Sequence, residues 1–218
     1  MFPPPPLKLH DCTHHGIGSG AELYIVEGDS AAGSVAQVRN GLYQAVLPMQ
    51  GKPLNTVRAT TRKVHANPWF KALVDALGAG VGDAFDLTAL RYDRVILLMD
   101  ADADGIHCGA LAMMFFHRWM RPMLDDGRVG IALAPVATVM IGHPDTPEYV
   151  EQHPRSEYEL RELIAAKKLM PTNVRRYRGL AGTNLDVLDA LCIHPATRTV
   201  RRITAADADA AIAAFGRG

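Results

Sequence analysis

The sequence predicts an α/β fold with a central parallel sheet flanked by helices, and three observations carry that expectation. Short apolar, β-branched runs alternate with helical stretches along the first two thirds of the chain. The run Arg94-Val-Ile-Leu-Leu-Met99 is apolar throughout, as a central parallel strand covered on both faces must be. Two of the runs, ending at Glu27 and at Met99, pass directly into acidic, glycine-containing turns and then into helix.

Residues 1–20 read as an irregular lead-in, with Pro3 to Pro6 favouring an extended polyproline conformation and Gly16, Gly18 and Gly20 loosening the stretch before the first strand. Glu22-Leu-Tyr-Ile-Val-Glu27 reads as a buried strand, and Gly28-Asp29-Ser30-Ala-Ala-Gly33 as a turn into a helix capped by Asp29 or Ser30. A second strand is expected over Tyr43 to Pro48, then a loop with Gly51-Lys52-Pro53. Residues 67–77 read as a helix with Asn67 as N-cap, Pro68 in its first turn and Gly78 as its stop. After the Arg94–Met99 strand, one helix is expected from Ile106 to Leu124, then one strand from Gly130 to Val139. Beyond residue 142 the composition turns more polar. A helix over 156–168, basic stretches at 174–180 and 197–203, and a tail helix capped by Thr204 account for the remainder. The expected division is therefore a lead-in at 1–20, a core at 21–142 and a helical, basic C-terminal extension at 143–218.

Composition narrows the function classes. With 218 residues, 48% hydrophobic, the chain can bury one sizeable core. The 23 basic and 23 acidic side chains balance, so any attraction to nucleic acid must come from local patches or a partner. Three scattered cysteines, Cys12, Cys108 and Cys192, argue against a disulfide framework and fit a reducing cytosol. No apolar run approaches the roughly 18 residues of a membrane span, and the start lacks the regions of a secretory signal.

The chemistry concentrates in carboxylates. Asp100, Asp102 and Asp104 alternate after an apolar strand, and in an extended segment residues two apart point to one side. They sit at the carboxyl end of a parallel strand, where open α/β sheets bind ligands. Crowded like charges call for a counter-ion, and Mg²⁺ takes carboxylate oxygens while keeping waters for a phosphate, with Mn²⁺ as the alternative. A calcium loop of the EF-hand kind needs a Glu six residues after its Gly, where Leu111 stands. Glu27 has the same placement as the aspartates, before a Gly turn, and fits either a metal ligand or a general acid/base. His10, Cys12, His14 and His15 crowd the N-terminus, but with one cysteine among them they suit adventitious rather than structural metal binding. The arginines at 175–178 and 198–202 read either as phosphate contacts or as a solvated face.

Glu27-Gly-Asp-Ser-Ala-Ala-Gly-Ser34 and Asp100-Ala-Asp-Ala-Asp-Gly105 together resemble the TOPRIM domain of type IIA DNA topoisomerases, in the form found in the B subunits of DNA gyrase and topoisomerase IV. Leu47-Pro-Met-Gln-Gly-Lys-Pro-Leu-Asn55, Ala76 to Gly82, Leu90-Arg-Tyr92, His107, Arg176-Tyr-Arg-Gly-Leu180 and His194-Pro-Ala-Thr-Arg198 fall in that family's order, as does the lead-in Leu7 to Cys12. The resemblance covers residues 7–204. It implies a Rossmann-like TOPRIM fold in which Glu27 and Asp100 hold the metal at the scissile phosphate, Asp100 and Asp102 hold a second ion, and Asp104 supports the site. Lys52 and Arg178 would face DNA or the phosphate. The attacking tyrosine of the family lies on an A subunit, so Tyr24, Tyr43, Tyr92 and Tyr177 read as packing residues. Implied partners are double-stranded DNA, a gyrase or topoisomerase IV A subunit and a second copy of the chain, in the cytoplasm with the nucleoid. No ATP-binding segment fits in residues 1–20, so an ATP-driven cycle is not expected of this polypeptide alone. The family's "GLGEM" reads Gly179-Leu-Ala-Gly-Thr183 here, and Cys108-Gly-Ala110 replaces an arginine-containing segment. The resemblance thus leaves a topoisomerase cleavage module, a stand-alone TOPRIM nuclease or nicking enzyme, and a non-catalytic DNA- or gyrase-binding module as readings.

Overall fold

A computed structural model describes residues 8–216, so the polyproline expectation for Pro3 to Pro6 lies outside the described residues. The chain is α/β, as its sequence predicts. Four parallel strands form the central sheet: β1 (Glu22–Glu27), β2 (Gln44–Met49), β3 (Arg94–Met99) and β4 (Val129–Leu133). Their order is β2-β1-β3-β4, and an antiparallel edge strand, β8 (Val200–Arg202), pairs with β4. A second, antiparallel sheet contains β5 (Ala137–Ile141), flanked by β6 (Val150–Gln152) and β7 (Val174–Arg176).

Alternation along the central strands divides the core in two. Leu23, Ile25, Val95, Leu97 and Met99 face one layer with α3 (Pro68–Leu77) and α4 (Ala103–Trp119). Tyr24, Val26, Ile96 and Leu98 face the other with α1 (Gly28–Val38) and α7 (Leu185–Leu188), which runs on into a π-helical turn over Asp189–Ile193. A continuous apolar strand is the consequence of having no solvent face. The order also places a topological switch point between β1 and β3: the chain leaves β1 for β2 on one side and reaches β3 on the other. Ligands of open α/β sheets bind at such points, outside the carboxyl ends of the strands.

Asn67 caps α3 by accepting from the Trp69 and Phe70 N–H groups, and Gly78 ends it in the left-handed region, both as expected. Neither Asp29 nor Ser30 caps α1: the helix begins at Gly28 with Glu27 as N-cap and no side-chain cap. Asp29 instead pairs with Lys8 and Gln50. The single helix expected over Ile106 to Leu124 is two, α4 and α5 (Arg121–Asp125), broken at Met120, whose φ of −143° leaves the helical region ahead of Pro122. The strand expected over Gly130 to Val139 is also two. Ala134-Pro135-Val136 separates β4 from β5 and passes the chain from one sheet to the other. α2 (Thr61–His65), a short turn ahead of α3, has no counterpart among the elements the sequence predicts.

After β5 come α6 (Glu157–Lys167), β7, α7 and β8, and then α8 (Ala205–Phe215) lies along α4, burying Ala208 and Ala211. β8 and α8 thus return to the central layers, whereas β6, α6 and β7 belong to the second sheet and its cluster. No helix among the described residues is long and apolar enough to cross a membrane.

Candidate metal centre

Because β1, β2 and β3 are parallel, Glu27, the Gln50–Lys52 loop and Asp100 emerge at one edge of the sheet. Glu27 Oε1 accepts a hydrogen bond from the Asp100 N–H at 3.0 Å, which joins the two strand ends across the switch point. Asp102 is the N-cap of α4, its Oδ1 accepting from the Gly105 N–H at 2.8 Å. Gly105 has to be glycine for close approach: a Cβ there would lie 2.7 Å from Glu27 Oε1 and 2.8 Å from the Asp100 carbonyl carbon. It permits helix α4 to begin directly against the end of β3.

Asp100 and Asp102 line one cleft, in keeping with the expectation that at least two of the three carboxylates converge, but the extended alternation stops short of Asp104. Only Asp100 and Asp102 precede the helix, and Asp104 lies in its first turn, exposed, with an ion pair to Lys52 Nζ at 2.8 Å. That pair raises the Lys52 ammonium and lowers the Asp104 carboxyl from their ordinary ranges. Lys52 is thus near the acidic group, but its ammonium is engaged by Asp104. Arg178 lines an open cleft of about 430 Å³ with Asp100, Asp102, Glu157 and Tyr177. Among the described residues Arg178 has no ion pair, whereas Arg176 forms two hydrogen bonds with Glu157.

Electrostatics single out the inner pair. Burial pushes Glu27 above the ordinary carboxylate range; the Asp100 N–H opposes this, and the charges of Asp100, Asp102 and Asp104 add to it. Burial likewise raises Asp100, opposed by the Leu180 N–H and reinforced by Asp102. No cation pairs with Glu27, Asp100 or Asp102 among the described residues. The site is half-buried negative charge with no ion-pair partner of its own among the described residues, and its donors are all hard oxygen, which suits Mg²⁺ or Mn²⁺ rather than a soft metal. These oxygens do not close to within 4.8 Å as a group of three. An open donor set of this kind fits an ion that keeps several waters and shares them with a phosphate.

The histidine-rich N-terminus is organised differently. Asp11, Cys12 and His15 are the one His/Cys/Asp/Glu group of three whose ligand atoms lie that close among the described residues, but their valences are spent internally. Asp11 accepts from Tyr92 at 2.6 Å and Arg91 at 2.5 Å, and contacts His15 at 2.9 Å. Burial pushes the Cys12 thiol up to about 11, so it stays protonated, and the Arg91 guanidinium repels a cation. His14 stacks on Tyr43 and His10 bridges to Val46, so the four residues do not converge. Of the tyrosines, Tyr24 and Tyr92 are fully buried, whereas Tyr43 is exposed rather than core.

Residues 22–133, which hold β1 to β4 and all four acids, match the family described as Toprim domain. The chain belongs to the Toprim family. It is 39% identical over 208 residues to the DNA gyrase B subunit of Thermotoga maritima, covering 94% of this chain and 31% of the relative. The DNA gyrase B subunit of Halalkalibacterium halodurans is 40% identical over 205 residues and that of Archaeoglobus fulgidus 37% over 203, each across 93% of this chain and 31% of its own length. This Toprim chain therefore spans about a third of the curated relatives it matches.

The structure also gives the Arg176–Leu180 motif a contact that the sequence does not show. The Leu180 N–H donates to Asp100 Oδ1 at 2.7 Å, so the Gly179–Leu180 backbone is part of the acidic centre. Nothing about a Gly-Leu pair 80 residues from an aspartate signals that contact. The second basic stretch proves structural: Arg198 is buried against Glu22, Arg201 pairs with Asp207, and Arg202 reaches the Leu124 and Asp125 carbonyls. Arg198 is thereby withdrawn from solvent, whereas Arg201 and Arg202 keep exposed side chains.

Proposed function

We propose that this chain is the metal-bearing part of a DNA cleavage and religation centre of the type IIA topoisomerase class. The observation that carries the proposal is the cluster of Glu27, Asp100 and Asp102 at the β1/β3 switch point, with no ion-pair partner among the described residues. Similarity to DNA gyrase B subunits along most of the chain supports the same reading. Glu27, Asp100 and Asp102 would hold Mg²⁺ or Mn²⁺, and Asp104 would hold Lys52 beside them. A divalent ion there neutralises charge developing on a phosphate and its leaving oxygen. Glu27 joins the two strand ends through the Asp100 N–H, and Arg178, which lines the cleft with Asp100 and Asp102, would offer its charge to a phosphate. Tyr177 lines the cleft, but its hydroxyl is engaged by Thr138, so it would not serve as the attacking nucleophile. An A-type subunit would supply that nucleophile, with double-stranded DNA as substrate, a second copy of the chain in the assembly, and the cytoplasmic nucleoid as its setting. The metal would lie in the 21–142 core, and Arg178 would be supplied by the 143–218 extension.

The test is a trapping assay. The protein is mixed with a gyrase A subunit, supercoiled DNA and Mg²⁺, then treated with detergent and protease. Linear DNA carrying protein on its 5′ ends is expected, and Glu27→Gln should abolish it without unfolding the chain. Cleavage in the absence of the A subunit would establish a stand-alone nuclease instead. DNA binding with no cleavage in either mixture would establish a non-catalytic module.

A further inference from the structure

Asp100 is the carboxylate on which the proposed centre turns, and its orientation is set from the far side of the cleft. Leu180 N–H donates to its Oδ1, and the α-carbon of Gly179 comes so near that a Cβ there would overlap Oδ2 and lie 2.9 Å from Cγ and 3.0 Å from Oδ1. Gly179 also has φ +70°, a backbone region costly for any other residue type. The peptide joining the two residues is held at its other end as well. The Gly179 carbonyl accepts from the Gly182 N–H and the Thr183 hydroxyl, both at 3.2 Å. Its flanks are anchored: the Leu180 side chain is fully buried, the Tyr177 N–H donates to the Val136 carbonyl at 3.0 Å, and the Tyr177 hydroxyl meets Thr138 Oγ1 at 2.5 Å.

From this we infer that the Gly179–Leu180 peptide is the positioning element of the metal centre, holding the Asp100 carboxylate by one N–H on Oδ1 and by the close approach of Gly179 to Oδ2. The inference rests on the reading of Asp100 as a metal ligand. A donor to one oxygen of a ligating carboxylate fixes its rotamer before the ion arrives, and losing such a partner typically weakens metal binding by about 10- to 100-fold. Gly179→Ala puts a methyl where Oδ2 sits, so the carboxylate must rotate away from the Leu180 N–H. Gly182, in the same turn, is the control, because a Cβ there meets only Arg178 Cβ at an ordinary 3.9 Å.

Mn²⁺ titration of the full chain, followed by electron paramagnetic resonance, reads the effect without any cleavage step. Gly179→Ala is expected to weaken Mn²⁺ binding by about tenfold or more, Gly182→Ala to leave it unchanged, and Asp100→Ala to lose the site. A folded Gly179→Ala protein with wild-type affinity overturns the inference, and loss of binding in Asp100→Ala within the same series shows that the metal reading itself survives. Wild-type binding by Asp100→Ala sinks both. Amide exchange at Leu180 in the metal-free protein gives a second test that does not depend on how Gly179→Ala folds. Exchange should quicken in Asp100→Ala, and an unchanged rate overturns the inference.

Discussion

Glu22 and Arg198 lie 176 residues apart, and both are nearly inaccessible, at 8% and 7% side-chain exposure. Arg198 grips both Glu22 oxygens and also reaches the Tyr24 hydroxyl and the Ile193 carbonyl, while Gln44 donates to the same carboxylate. The pair ties the C-terminal segment to the amino end of β1, at the opposite end of the sheet from the acidic centre. Buried charges are costly when unmatched, so deleting one partner is worse than deleting both. Urea unfolding should show Glu22→Ala and Arg198→Ala each destabilising the protein by about 3–5 kcal/mol. The double change Glu22→Leu, Arg198→Met should cost clearly less than the sum of the two. Additive losses would mean that the pair is solvated in solution. Sequence reading groups Arg198 with phosphate-facing or solvated arginines because charge runs usually lie on surfaces; its partner is invisible to any local pattern.

At the scale of elements, α8 shows how far local rules reach. Its boundaries follow from sequence alone: Thr204 caps it by accepting from the Asp207 N–H, as expected, and Asp207 returns the bond to the Thr204 N–H in a capping box. Thr204→Ala should cost about 1 kcal/mol, measured by chemical denaturation. Asp207 adds a pH signature. Bonds from the Thr204 N–H and hydroxyl, aided by Arg201, hold its carboxyl down to about 2. A depressed carboxyl stabilises the fold above its unfolded value of about 4, and that contribution is lost as pH falls from there toward 2. Asp207→Asn should therefore flatten the fall in stability in that window relative to wild type; an identical pH profile would show that Asp207 is not held in this way. The docking of α8 on α4, by contrast, cannot be read locally. It depends on Ala208 and Ala211 meeting a helix from far earlier in the chain, with Ala211 packed among Ala110, Leu111 and Met114.

For the whole molecule, the two sheets differ in how firmly they are held. The central sheet is buried on both faces, whereas the second rests on a small cluster of Val136, Ala137, Val139 and Leu160, with β6 exposed along its length. Local opening is cheapest where few apolar contacts oppose it. Native-state hydrogen exchange should find β1 and β3 amides exchanging only through global unfolding, and β6 and β7 amides exchanging by separate, easier openings. Uniform protection across both sheets would contradict this. The difference bears on the proposed function, because Arg178 and the Gly179–Leu180 peptide come shortly after β7. The less firmly held sheet leads into the groups that orient Asp100, while Glu27 and Asp100 themselves sit at the strand ends of the rigid one.

The sequence by itself determined the α/β class, the central strands, the caps of α3 and α8, and the presence of acids at two strand ends. Those features rest on periodicity, capping chemistry and residue type, which act over a few residues. Tertiary structure alone decided which acids share a centre with which partners. It drew Asp104 aside to Lys52, split the 130–139 run between two sheets, buried Arg198 against Glu22, and set a backbone N–H on Asp100. Each of these depends on contacts between segments distant in sequence, or on a break in the chain's course that apolar patterning does not encode. The acidic centre is therefore legible as a set of residues in the sequence, and as an oriented arrangement only in the fold.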